Sequence, residues 1–215
     1  SRAGVRLGLI LGAVALLAAC SALPDKPQRA ALYDFGPGAL GPVVAPREAP
    51  LAPIALADIS TPGGALDNQS VLYRLAYDDA QQLRPYSLAR WSMPPAQLIR
   101  QRLRDGLGRQ RAVLNAGEGP ALNRSAHQGV LPRVLKLELD EFSHVFDAPA
   151  SSAGLVRLRA TLVETTPSGD KLLAQRSITT QRPAPSADAP GGVRALTAAT
   201  DAAIEEIATW LQQVP

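Results

Sequence analysis

A single cysteine stands in 215 residues, with only two histidines and with aromatic side chains at 4%. One thiol cannot close an intramolecular disulfide, so the disulfide frameworks of small secreted domains are excluded. Cys20, His127 and His144 show no zinc-type ligand spacing. Charge of one sign is lacking too: 22 basic side chains face 19 acidic ones, and Arg2 and Arg6 lie in a segment expected to be removed. So small an excess gives no footing for nucleic-acid binding, which draws much of its affinity from phosphate contacts. Neither a Gly-x-Ser-x-Gly elbow nor a phosphate-cradling Gly-rich loop occurs. The adjacent carboxylates Asp140 and Glu141 would point to opposite faces of a strand, and nothing near them reads as an acid/base partner. These residues do not describe an enzyme.

What is present begins at the N-terminus. Arg2 and Arg6 precede an apolar run over 7–17, and Leu17-Ala18-Ala19 lead into Cys20. A basic n-region, a short h-region and small residues before a cleavage point make a secretory signal peptide. The run is too short to span a bilayer, which takes about 20 apolar residues. That weighs against the competing reading, a buried cysteine behind a transmembrane helix. Leu-Ala-Ala-Cys resembles the lipobox of bacterial lipoproteins. The resemblance implies that Cys20 becomes the first residue, with palmitate-type acyl chains on its sulfur and its amine. Three such chains hold a protein on a membrane far more firmly than the marginal binding of one. Ser21 occupies the position where aspartate favours inner-membrane retention in lipoprotein families, so outer-membrane sorting is implied. The expected division is 1–19 signal peptide, 20–30 lipidated tether carrying Pro24 and Pro27, and 31–215 one periplasmic domain.

Within that domain, 31–35 alternates and stops at Gly36-Pro37, a short strand. Residues 38–53 read as extended loop. Strands are expected over 54–59 and 70–77, the second with Val71, Tyr73, Leu75 and Tyr77 on one face and Leu72 opposite. Ala96, Ile99, Leu103 and Leu107 then recur at helical spacing behind Pro94-Pro95, with Ser92 or a neighbour as cap. Residues 115–129 read as loop. Over 133–146, Leu135, Leu137 and Leu139 alternate before the pattern slips to Phe142, His144 and Phe146, which predicts a bulge at Asp140-Glu141. A hairpin follows over 155–180, turning at Pro167-Ser168-Gly169-Asp170. Residues 183–192 have loop composition. From Val193 through Leu196, Thr200, Ile204, Ile207 and Leu211 runs a last amphipathic helix. Two helices with apolar stripes need a sheet to cover, giving a layered α/β domain.

The lipobox, Tyr33-Asp34-Phe35-Gly36-Pro37, Leu72-Tyr73-Arg74 and Tyr86 leading to Trp91-Ser92-Met93-Pro94-Pro95 come in a recognisable order. Leu139-Asp140-Glu141-Phe142, Val145-Phe146-Asp147, the strand around Arg157 and a C-terminal helix closing on Trp210 continue it. Together they resemble the ABC-type transport auxiliary lipoproteins, the PqiC-like group. The resemblance implies a three-layer α/β fold, helices on a mixed sheet like the N-terminal domain of TolB. It implies service in MCE-type systems, where an ABC transporter and MCE-domain proteins move lipids between the inner and outer membranes. In such a system the auxiliary lipoprotein docks the periplasmic conduit. It carries across no catalytic, cofactor or metal residue. Some members form rings, which leaves a homo-oligomer open, as it does a groove that holds phospholipid. The alternative is an envelope-assembly or structural lipoprotein with the same fold and no transporter.

Partner-binding candidates are Trp91, Arg100 and Arg104. Trp91 reads either as an exposed anchor, since tryptophan is enriched at hot spots, or as a staple at the start of the helix. Arg100, Arg102, Arg104, Arg109 and Arg111 could form a patch for anionic headgroups or an acidic partner. At about 100° per residue, however, Arg100 and Arg104 fall on one flank of the apolar stripe while Arg102 and Arg109 fall on the other, as on a solvated helix face. His144 reads as structural, Trp210 as core, and His127 as a loop residue without signal.

Overall fold

The computed structural model describes residues 28–38, 51–118 and 131–215. Cys20, Ser21, His127, the signal peptide and most of the tether lie outside the described residues. In chain order the elements are β1 (Ala31–Tyr33), β2 (Leu51–Leu56), β3 (Ser70–Leu75), the single turn α1 (Ala76–Asp79), β4 (Ala80–Trp91) and α2 (Pro95–Gly108). Then follow β5 (Arg111–Asn115), β6 (Arg133–Ala148), β7 (Ser151–Thr166), β8 (Gly169–Pro183) and α3 (Ala189–Gln213). The class is the expected one: α/β, with a mixed sheet of eight strands and two long helices against it.

β6 is the axis of the sheet. β7 pairs antiparallel along its length, from Val134↔Val163 to Ala148↔Ser151, and β8 pairs antiparallel with β7. The other edge of β6 is shared. β2 lies parallel to its beginning, at Ile54↔Arg133 to Leu56↔Leu135, and carries β5 outside it. β3 lies parallel to its end, at Tyr73↔His144 to Leu75↔Phe146, and carries β4 and then β1. Between them Ser60 still holds the edge: its N–H donates to Leu137 O at 3.0 Å and its carbonyl accepts from Leu139 N at 2.8 Å.

The expected bulge is there. Leu139 faces Leu158 and Glu141 faces Arg157, so Asp140 is the extra residue. It returns Phe142, His144 and Phe146 to the face that Leu135, Leu137 and Leu139 bury. α3 packs on that face over β7 and β8, and α2 lies beside it against β5 and α3. Leu139, Leu158, Ile99 and Leu196 have no exposed surface. Thr180 Oγ1 donates to Ala199 O at 2.7 Å, tying β8 to the middle of α3.

Several boundaries differ from expectation, each for a local reason. β2 spans Leu51–Leu56 rather than 54–59, because its register shifts between Leu51 and Ile54, where Pro53 is tolerated. β3 ends at Leu75, with Val71 and Leu72 both buried; Tyr77 lies in α1, 47% exposed, instead of on the buried face. Asp79 Oδ1 accepts from Gln81 N at 2.9 Å and helps turn the chain back into β4. α2 has no side-chain cap from Ser92; Pro94 stands at the N-cap and Pro95 opens the first turn. α3 starts at Ala189, within the expected loop, because Asp188 accepts the Gly191 N–H at 2.8 Å.

At Gly154 on β7 the backbone of α3 passes close over the sheet. A Cβ there would stand 2.4 Å from Leu196 N and 2.5 Å from Ala195 C, both backbone atoms unable to swing aside. Gly154→Ala is expected to destabilise the domain by roughly 3 kcal/mol, read as a lowered urea midpoint. An unchanged midpoint would mean that α3 is not seated as described.

Candidate functional site

The arginines of α2 leave the helix on two flanks, as their spacing predicts, but they are not solvated. Arg100 and Arg104 reach toward β2 and β5 and donate to the same Oδ1 of Asn115, Arg100 at 2.8 Å. Arg100 also approaches Ala57 O and Asp58 Oδ1, each at 3.4 Å. Asn115 is held in turn by Glu118, which accepts from its backbone N–H at 3.0 Å and its amide at 2.7 Å. Those bonds hold the Glu118 carboxyl below the usual range. On the other flank Arg102 makes a two-pronged bond to Asp201 of α3, at 2.7 and 2.9 Å. The solvated-face reading is thus corrected: Arg100, Arg102 and Arg104 are half-buried and spent on internal ties.

Between α2 and α3 runs a cleft of about 660 Å³. Gly106 forms its floor where the helices touch; a Cβ there would come within 2.7 Å of Ile204 Cγ2. Arg102, Arg104 and Arg109 oppose Asp105, Asp201 and Glu205 around it. Balanced charge on an apolar floor suits a polar contact, and among the described residues the lining includes no histidine, serine or cysteine. Arg104 joins the cleft to the Asn115 tie, and its Nε is buried without a hydrogen-bond partner among the described residues.

Trp91 has no exposed surface, so the anchor reading fails and the staple reading holds. Its ring meets Phe35 edge-on at 5.6 Å and Phe142 at 5.6 Å. The indole thereby fastens the segment after β1 to the middle of β6. Trp210 is core, 7% exposed.

His144 is fully buried and centres a network that includes Tyr86, which the sequence offered as a landmark of the resemblance and not as a site residue. Its Nδ1 bonds the Tyr86 hydroxyl at 2.9 Å and its Nε2 bonds the Ser152 hydroxyl at 2.8 Å. A neutral ring serves both, one nitrogen donating and the other accepting. Burial lowers the His144 pKa to about 4, outweighing the nearby Asp188, and burial first of all pushes the Tyr86 phenol up. Gly192 of α3 sits against the imidazole, leaving no room for even a Cβ. Ser–His adjacency can serve nucleophilic chemistry, but here the ring is closed off from substrate and braces β4, β6, β7 and α3. Tyr86 showed no periodicity to betray it, because β4 is irregular where it lies.

A family described as the ABC-type transport auxiliary lipoprotein component matches residues 33–208. No curated protein matches the chain. Protein XCC0632 from Xanthomonas campestris is similar in structure, at 19% identity and a TM-score of 0.61, over 77% of this chain and 87% of that one. A second solved structure, described only as an uncharacterized protein, has 14% identity and a TM-score of 0.59 over 86% of this chain and 99% of its own. Likeness at these identities concerns the fold.

The buried imidazole gives the fold an acid sensitivity with a definite sign. Above pH 6.5 both states hold His144 neutral, and its network is fully present. As pH falls from 6.5 toward 4 the unfolded chain takes up a proton that the native ring refuses. Stability should therefore drop by roughly 3 kcal/mol across that window. Urea unfolding at several pH values should show this slope in the native sequence and lose that share of it in His144→Gln; an equal slope in both would contradict the assignment.

Proposed function

The chain belongs to the ABC-type transport auxiliary lipoprotein components, and on that footing we propose that it is the non-catalytic, outer-membrane-anchored subunit of an MCE-type lipid transport system. The observation that carries this is one of coverage: the family match over 33–208 takes in almost all of the folded chain and begins just beyond the Cys20 lipobox. Acyl chains on Cys20 hold the domain at the periplasmic face of the outer membrane, with Ser21 permitting export. The domain then docks the conduit formed by MCE-domain proteins with their ABC transporter, so that lipids pass between membranes.

The interior chemistry supports a contact role. Arg100, Arg102 and Arg104 are bound to Asn115 and Asp201, and His144 to Tyr86 and Ser152. These groups stiffen the body and are not poised for turnover. The cleft between α2 and α3, with opposed charges to fix orientation, is where part of a protein conduit would dock.

Loss of the chain from its native cell should slow the exchange of pulse-labelled phospholipid between the two membranes. The native sequence should restore exchange, and Cys20→Ala, accumulating as an unprocessed precursor without acyl chains, should not. Unchanged exchange in its absence would point instead to a structural or assembly role.

A further inference from the structure

The short edge strand β1 carries an exposed apolar group at the point where the tether joins the fold. In the parallel β1–β4 pair, Ala31 faces Ala89, Leu32 faces Arg90 and Tyr33 faces Trp91. Along β4, Ala89 and Trp91 turn into the core, at 1% and 0% exposure. Leu88 and Arg90 alternate with them and turn out, and Leu32 shares the side of its partner Arg90. Leu32 is 70% and Leu88 48% exposed, so two leucines stand as diagonal neighbours in water. Single exposed leucines are ordinary; here two are neighbours, with the exposed Arg90 between them along the strands and the exposed Arg29 just before β1. The acid nearest in sequence, Asp34, is turned to the Gly36 N–H at 2.7 Å.

The rest of the outward face of the sheet is built differently. Around β6 it carries paired charges: Arg159 between Glu138 and Asp140, Lys136 on Asp170, and Arg74 on Glu141. The apolar pair is confined to the β1 corner. Between Cys20 and Ala31 there are eleven peptide steps, which reach at most about 40 Å. An acylated Cys20 therefore keeps this corner within about 40 Å of the bilayer.

We infer that Leu32 and Leu88, with Arg29 and Arg90, form a membrane-contact patch that seats the domain on the phospholipid surface holding its acyl anchor. Leucines enter the boundary between headgroups and acyl chains, and the flanking arginines meet lipid phosphates. The inference rests on the lipid-anchor reading of Cys20. It adds an orientation: β1 faces the bilayer, and β8, five strand spacings across the sheet and hence about 24 Å off, faces the periplasm.

Acylation consumes the only native thiol, so Leu88→Cys in the lipidated chain takes a nitroxide at one position. The labelled protein would be reconstituted into vesicles of phosphatidylethanolamine and phosphatidylglycerol, and collisions with oxygen and with a water-soluble nickel chelate measured by power saturation. The label at 88, and separately at Leu32→Cys, should meet oxygen several-fold more readily than nickel, while one at the exposed Leu172 of β8 should meet nickel freely. If the protein floats with vesicles but positions 32 and 88 meet nickel as 172 does, the patch faces water and the inference fails while the anchor stands. Low collision with both agents would place the leucines against a second copy of the chain, which also overturns it. Failure to float would overturn the anchor and the patch together.

Discussion

The extra residue at Asp140 in β6 is the constraint on which the remaining structure depends. β6 is 16 residues long and its two halves must present the same face to the helices. Side chains alternate along a strand, so a run pairing in unbroken register would have turned Phe142, His144 and Phe146 toward water. With Asp140 bulged out, Leu135 through Phe146 form one continuous buried surface. β7 can then follow one edge of β6 to its end, and α3 can cross both strands at Gly154.

The same strand explains how two separate groups of strands become one sheet. β2 with β5 take the first half of its free edge, and β3 with β4 and β1 take the second. Aromatic contacts reinforce the junctions: Phe35 and Trp91 lock the β1 side to Phe142, while Tyr73, Tyr86 and Phe146 surround His144. His144 and Thr180, buried inside, are answered by Tyr86, Ser152 and the Ala199 carbonyl, while Trp91 Nε1, Arg104 Nε and Ser143 Oγ have no hydrogen-bond partner among the described residues. The result is a braced body that carries the α2–α3 cleft and the β1 corner on its surface. Such a body is what the proposed contacts with a membrane and a conduit require.

What the sequence revealed depended on clean periodicity. The leucines of β6, the alternating Val156, Leu158 and Ala160 of β7, and the stripes of both long helices were legible because each buries one regular face. β4 was not: its residues 80–90 mix polar and apolar side chains without alternation, are interrupted by Pro85, and shift register against β3 between Ser70 and Leu72. β5 was hidden by its shortness and by the arginines before it. Charge was misjudged for a related reason. Helical geometry separates Arg100 and Arg104 from Arg102, but only the fold supplies Asn115 and Asp201 as their partners. For Trp91 the staple reading was available in the sequence, and the choice between staple and anchor waited on Phe35 and Phe142. The family resemblance survived these errors because it rested on the order of many landmarks.

In vivo crosslinking of the lipidated protein in its own envelope, with affinity purification from mild detergent and mass spectrometry, tests the transporter assignment most directly. ABC-transporter subunits together with an MCE-domain protein are expected among the crosslinked partners. Recovery of only outer-membrane or cell-wall components would contradict that assignment and leave the fold serving envelope structure.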